Sequence, residues 1–261
     1  MTPTPSPFAF AAAYYDRFRA PYPPEALDYV TAAFGGGGDS RVLDLGCGPG
    51  TLSIPLSRAV GEVVAVDPDG AMLAEGKRLA SQSGRDNIRW AYARAEDIGP
   101  DLGRFRIAIL GQSFHWMDRD RVLDALSRLV EDGGGLVLIN PGKRRPQESW
   151  EPVAGAVVAK YLGRRDRHPA ANPEPAHEPS LRRSACFAAF TAREFPSQIT
   201  RDVASIIGCL YSTSGASRPL FGERVAAFEA ELTQALLRLE PSGVFREQLE
   251  TEVLLAPKRA G

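Results

Sequence analysis

Cysteine is scarce in this chain: 3 in 261 residues, at Cys47, Cys186 and Cys209. They form no Cys-x-x-Cys pair and cannot all pair with one another. That excludes a disulfide framework and a zinc site, and implies a reducing, cytoplasmic setting. Net charge is nearly absent too. Lys+Arg total 31 against 32 Asp+Glu, leaving −1, so the chain is not a general polyanion binder. Arg supplies 27 of the 31 basic residues, which reads as a codon-composition habit. No apolar run reaches the ~18 residues of a membrane span. The first ten residues, MTPTPSPFAF, lack the positive region and long apolar core of a secretory signal. At 44% hydrophobic and 24% charged residues, the composition is globular, which excludes wholesale disorder.

What is present is an alternation. Residues 8–18 read as an apolar-aromatic helix. A second helix opens at Pro23-Pro24 and runs to Phe34, and glycines 35–38 form a break. Strands follow at Arg41–Leu45, Glu62–Val66, Ile88–Ala93, Phe105–Leu110 and Leu136–Asn140. Helices fall at Thr51–Val60, Asp69–Ser83 and from Asp118 to Gly133. Strands alternating with helices predict crossover units and a mostly parallel sheet. Trp150–Leu162 keeps helical spacing. Residues 163–183 lack periodicity and read as a long loop. Residues 190–200 alternate like a strand, and Asp202–Ser212 and Gly222–Leu239 are helical. Phe245–Ala256 reads as a last strand, with Phe245, Leu249, Thr251, Val253 and Leu255 on one face. The expected fold is one Rossmann-like α/β domain over 1–261, with seven strands and an antiparallel last strand. Residues 8–34 and 145–189 would form a helical lid, 40–141 the ligand-binding core, and 190–257 the rest of the sheet and substrate-side helices.

The sharpest signal is Asp44-Leu45-Gly46-Cys47-Gly48-Pro49-Gly50, between a strand and a helix. Glycines there let the backbone turn sharply and approach a ligand. Asp67, at the end of the second strand, can accept both hydroxyls of a ribose. A dinucleotide fingerprint needs glycine at position 51, where Thr51 stands. Gly-x-Gly-x-Gly preceded by Asp44 instead suits S-adenosylmethionine, whose ammonium and carboxylate can lie over the glycine backbone.

The first 140 residues resemble the class I S-adenosylmethionine-dependent methyltransferases. Asp44–Gly50 resembles that family's first motif. Val63–Leu73 resembles the second, which implies a ribose role for Asp67 and an adenine edge from Pro68 to Met72. Residues 95–98, Ala-Glu-Asp-Ile, resemble the third, which implies that Asp97, beside Glu96, meets the adenine. Residues 110–118, with Gln112, Ser113, Phe114, His115 and Trp116, resemble the segment lining the methyl-transfer site. The stretch Tyr14–Pro23 and the Phe-His-Trp triplet are similar to a subgroup that includes trans-aconitate methyltransferases and bacterial small-molecule methyltransferases. The resemblance implies S-adenosylmethionine as cofactor, with S-adenosylhomocysteine as product and no metal. It also implies O- or N-methylation of a small molecule, in natural-product (antibiotic) metabolism or on a small carboxylic acid. The protein would be a monomer or homodimer without nucleic-acid or membrane partners. An RNA methyltransferase and a non-methylating cofactor-binding scaffold are the alternatives.

Within those motifs His115 is the one titratable residue placed for proton removal, though a histidine beside Trp116 reads more readily as structural. Tyr14 and Arg19 are cofactor candidates on the first helix, where an arginine could pair with a carboxylate. Cys47 counts with the cofactor loop by position, as a small filler rather than a nucleophile. Tyr15, His115, Trp116 and His168 are substrate candidates. His168 and His177 sit with Arg164, Arg165, Arg167, Arg182 and Arg183 in the long loop, a charge run that reads more readily as solvated than as an anion site.

Overall fold

The computed structural model describes residues 12–141, 150–163, 181, 183–188 and 190–259. Seven strands form one sheet in the order β3-β2-β1-β4-β5-β7-β6. They are β1 (Arg41–Leu45), β2 (Glu62–Asp67), β3 (Ile88–Tyr92), β4 (Phe105–Gly111), β5 (Val130–Asn140), β6 (Thr191–Asp202) and β7 (Val244–Pro257). The first five run parallel, with Val42 beside both Val63 and Ile107. β7 runs antiparallel to β5, pairing Leu136 with Ala256 and Ile139 with Val253. Both the seven strands and the antiparallel last strand agree with the sequence pattern. The order was not legible: the last strand lies inside the sheet, and β6 takes the edge.

Alternate residues of the central strands enter two cores, as burial on both faces of a parallel sheet requires. Leu43, Leu45, Val64, Val66, Ala108 and Leu110 pack on one face. Val42, Val63, Ala65, Ile107 and Ile109 pack on the other. The chain leaves β1 toward β3 and returns to β4. Between β1 and β4 it therefore makes the switch point where open α/β sheets bind ligands at their strands' carboxyl ends.

The chain divides into two compact units. The larger takes Tyr22–Gly142, Pro169–Phe195 and Thr251–Gly261. Its helices are α2 (Pro24–Ala32), α3 (Ser53–Leu56), α4 (Gly70–Gln82) and α5 (Arg119–Leu129). α2 corrects the expected lid. Ala26 and Val30, four residues apart, are fully buried with Val42 and Ile107, so α2 is a core helix. α3 is far shorter than the expected 51–60: Pro55 has no amide hydrogen to bond Thr51, and past Leu56 the amides of Arg58 and Ala59 bond three residues back rather than four. α5 stops at Leu129, short of Gly133. Val130 is already in β5, where its buried side chain pairs beside Phe105.

The smaller unit takes Met1–Pro21, Lys143–His168 and Pro196–Glu250. It contains α1 (Ala12–Phe18), α6 (Glu151–Leu162), α7 (Val203–Tyr211) and α8 (Val225–Leu239). Trp150, Ile206, Phe221, Phe228 and Phe245 form its core. Gly208 of α7 leaves room for the Phe18 ring of α1, since a methyl there would lie 2.4 Å from the ring. The alternation in β7 hides one buried charge. Glu247, on the same face as Phe245 and Leu249, accepts from Trp150 Nε1 at 2.5 Å and from Arg201 Nε at 2.9 Å. Arg201 also donates to the Phe18 carbonyl at 2.8 Å. With both side chains only 6% exposed, removing one partner strands the other charge. Glu247→Leu should cost about 3–5 kcal/mol in urea unfolding, and adding Arg201→Met should recover most of that loss. Equal instability of the single and double variants would refute this account.

Candidate functional site

The site is built on the carboxyl ends of β1, β2 and β4, all in the larger unit. The amides of Gly46 and Cys47 donate to the Val66 carbonyl at 2.8 and 3.0 Å, clamping the loop after β1 to β2. One turn on, the Gly48 amide donates to Asp67 Oδ2 at 2.8 Å, and the Asp69 amide donates to Asp67 Oδ1 at 2.8 Å. Asp69 caps α4, accepting from Ala71 and Met72. Gly48 has φ +54°, and the direction its side chain would take opens on empty space. A ligand can therefore lie against its backbone.

β4 supplies the other wall. Ser113 Oγ donates to the Leu45 carbonyl at 2.7 Å, tying the exit of β4 to that of β1. A methyl on Gly46 would lie 2.5 Å from Ser113 Cβ, so the glycine is required by contact as well as by conformation. Gln112 holds a positive φ of 52° without being glycine. Such strain collects at functional positions.

Two carboxylates are held here out of water. Asp44 is fully buried. Its Oδ2 accepts from Ser53 Oγ at 2.6 Å, and its Oδ1 has no hydrogen-bond partner among the described residues. Burial raises its pKa to about 7, opposed by the Ser53 hydrogen bond and assisted by the charge of Asp67. Burial also raises Asp67, against the lowering effect of the Gly48 and Asp69 amides. The Cys47 thiol is pushed up by burial and by both acids, the reverse of an activated thiolate. Among the described residues no group of three or more His, Cys, Asp or Glu could hold a metal ion.

The structure gathers some expected residues and separates others. Asp44, Gly46, Cys47, Gly48, Asp67, Gln112 and Ser113 converge at the strand ends. Pro68 is exposed, and Met72 is buried in α4. Glu96 accepts from the Asp118 amide at 3.0 Å, and exposed Asp97 pairs with Arg121 at 3.1 Å. Both acids thus brace their turn against the start of α5. His115 is half-buried in a turn at Phe114–Trp116, its ring 5.3 Å from that of Trp116. Tyr14, Tyr15 and Arg19 belong to the smaller unit and have contacts there. The Tyr14 ring edges Tyr211 at 5.4 Å. Arg19 stacks over Tyr15 and donates from Nε to Ser212 Oγ at 2.9 Å. Arg183 lies 3.8 Å from Asp120. His168, His177, Arg164, Arg165, Arg167 and Arg182 fall outside the described residues. Sequence reasoning missed Ser53, the partner of Asp44, and Tyr22. A methyl on Gly111 would lie 2.8 Å from the Tyr22 hydroxyl. No spacing rule points to either residue.

A methyltransferase-domain family profile matches residues 42–134, the segment carrying this loop and its acids. Residues 42–134 are thus similar to a methyltransferase domain. An uncharacterised methyltransferase of Mycobacterium bovis is 32% identical over 153 residues, 59% of each chain. The match to that curated relative thus spans about three-fifths of its length. A solved protein of Anaeromyxobacter dehalogenans, assigned as a type II methyltransferase, is 25% identical. It aligns over 92% of this chain and 98% of its own, with a TM-score of 0.64. A methyltransferase of Geobacter sulfurreducens solved with S-adenosylhomocysteine shares the fold at 15% identity and a TM-score of 0.53, covering 99% and 100% of the two chains.

The loop and its two buried acids carry a pH signature of their own. The unfolded Asp44 ionises near 3.8, the native one near 7. Between those values the unfolded state releases a proton that the native state keeps. Stability contributed by this group is complete below about pH 4 and is lost as pH rises toward 7. Asp67 acts in the same direction. Thermal melting of ligand-free Asp44→Asn across pH 4–8 should fall less steeply with rising pH than the wild type. Parallel curves would show that Asp44 is not held protonated.

Proposed function

We propose that the chain is an S-adenosylmethionine-dependent methyltransferase acting on a small molecule. The observation that carries the proposal is the pairing of the open Gly48 backbone with two buried acids at the strand ends. Asp67 would hold the ribose hydroxyls. Each of its oxygens keeps a lone pair beyond the amide it now accepts, so hydroxyls can join without breaking those bonds. Asp44 Oδ1, buried and unpartnered among the described residues, suits the cofactor's ammonium, directly or through a water. A positive charge there would draw off the carboxyl proton and relieve the desolvation cost. When bound, the cofactor supplies an activated methyl on a sulfonium.

The residues' tasks follow from that chemistry. Displacement at a sulfonium carbon needs alignment and exclusion of water more than acid catalysis. Phe114 is buried in the core, while half-buried Trp116 offers aromatic surface, and an aromatic face also attracts a sulfonium. His115 would accept a proton where the acceptor is a hydroxyl, and would be dispensable for an amine carrying a free lone pair. The balanced charge favours a small acceptor over RNA, because nucleic-acid affinity is driven largely by phosphate neutralisation. A hydroxyl or amine of a natural product, or a small carboxylate, fits this reading.

Titration calorimetry with S-adenosylhomocysteine tests the cofactor assignment. Wild type should bind, and Asp67→Ala should lose on the order of 2–4 kcal/mol, the value of a charge-assisted pair of hydrogen bonds partly replaced by water. Unchanged affinity in Asp67→Ala, or tighter binding of a nicotinamide dinucleotide by wild type, would reject it. His115→Ala should keep S-adenosylhomocysteine affinity within about twofold, while transfer to a hydroxyl acceptor falls by about 10²–10⁴. Weakened cofactor binding together with a lowered melting temperature would make His115 structural instead.

A further inference from the structure

The glycine loop is held from one side by hydrogen bonds to β2 and from another by a single large side chain. Trp90 lies on β3, beside Ala65 of β2. Two glycines far apart in sequence leave space for its indole. A methyl on Gly50, the last residue of the loop, would lie 2.6 Å from Trp90 Cη2. A methyl on Gly76, in the middle of α4, would lie 2.5 Å from both Cη2 and Cζ3 of the same ring, and 3.1 Å from the Pro49 carbonyl carbon. The six-membered ring is thus wedged among β3, α4 and the loop backbone. Gly76 is an unfavourable residue for a helix interior, and this contact accounts for it. Gly50 has φ +85° besides, so it answers two constraints at once.

We propose that Trp90 is a positioning residue for cofactor binding: its indole, seated in the space left by Gly50 and Gly76, sets where the Gly46–Gly50 loop stands relative to Asp67. The inference rests on the cofactor reading above. The Gly48 amide meets Asp67 at 2.8 Å, and a loop free to drift loses both that bond and the cradle for the ligand. A smaller side chain at 90 leaves the loop to be ordered by the ligand, at the expense of affinity.

S-adenosylhomocysteine is the probe, with calorimetry and melting temperature measured on the same preparations. Trp90→Phe should weaken binding about threefold and Trp90→Ala about tenfold or more, the cost of ordering a few freed loop groups. Gly76→Ala, which drives a methyl into the indole, should weaken binding about fivefold. In Gly76→Ala/Trp90→Phe the smaller ring yields room to the methyl. The double variant should therefore bind better than Gly76→Ala alone, the non-additivity expected of residues in contact. Folded variants with wild-type affinity, or losses that multiply in the double variant, would overturn the proposal, as would lowered melting temperatures without any change in affinity. Failure of wild type to bind the probe would instead reject the cofactor reading, a separate outcome. Gly76→Ala and Trp90→Phe keep the test open should Trp90→Ala not fold.

Discussion

The hydrogen bond from the Gly48 amide to Asp67 joins two connections 19 residues apart. One is the turn leaving β1 and the other the turn leaving β2. Their carbonyl and amide groups would otherwise end in solvent at the strands' carboxyl ends. Instead the loop is drawn against β2 by three backbone donors in succession, those of Gly46, Cys47 and Gly48. The rest of the larger unit is arranged around that closure. Ser113 secures the neighbouring exit of β4 through the Leu45 carbonyl, and Asp69 starts α4 at the point where Asp67 needs its amide.

Holding the loop this way brings two carboxylates into a poorly solvated space, and the strain of that arrangement is electrostatic. Asp44 is fully buried, with one hydroxyl donor and one oxygen without a partner among the described residues. A carboxyl so placed holds its proton up to about pH 7, and a cation or further donors would draw it off at lower pH. Catalytic and binding sites commonly store such cost where a ligand will repay it. Charges elsewhere are balanced inside the fold. Arg201 and Glu247 neutralise each other within the smaller unit, with Trp150 and the Phe18 carbonyl adding further hydrogen bonds.

Local patterns carried far in some places and not in others. β1 was legible to the residue, because Arg41–Leu45 is bounded by polar and glycine residues and its buried part is apolar apart from Asp44. α4 was legible from Asp69 and its apolar stripe, since a cap and helical periodicity are local properties. α3 and the end of α5 were misjudged. In one a proline limits the helix, and in the other pairing with β4 draws Val130 into extended backbone. α2 showed helical spacing, but spacing alone cannot say what a helix packs against. Ala26 and Val30 face the sheet, where a lid had been expected.

The sequence by itself determined the parallel α/β core, the glycine loop and the acid after β2, because short-range spacing and the steric freedom of glycine are written residue by residue. Tertiary structure alone decided that Asp44 is met by Ser53, that Asp97 and Glu96 brace α5, that Arg19 reaches Ser212, and that Trp90 fills the space left by Gly50 and Gly76. These are contacts between segments remote in the chain, and their energies depend on burial and packing that no linear pattern encodes. The same reason explains Glu247. In the sequence it interrupts an apolar alternation, and only its burial beside Arg201 and Trp150 makes it part of the core.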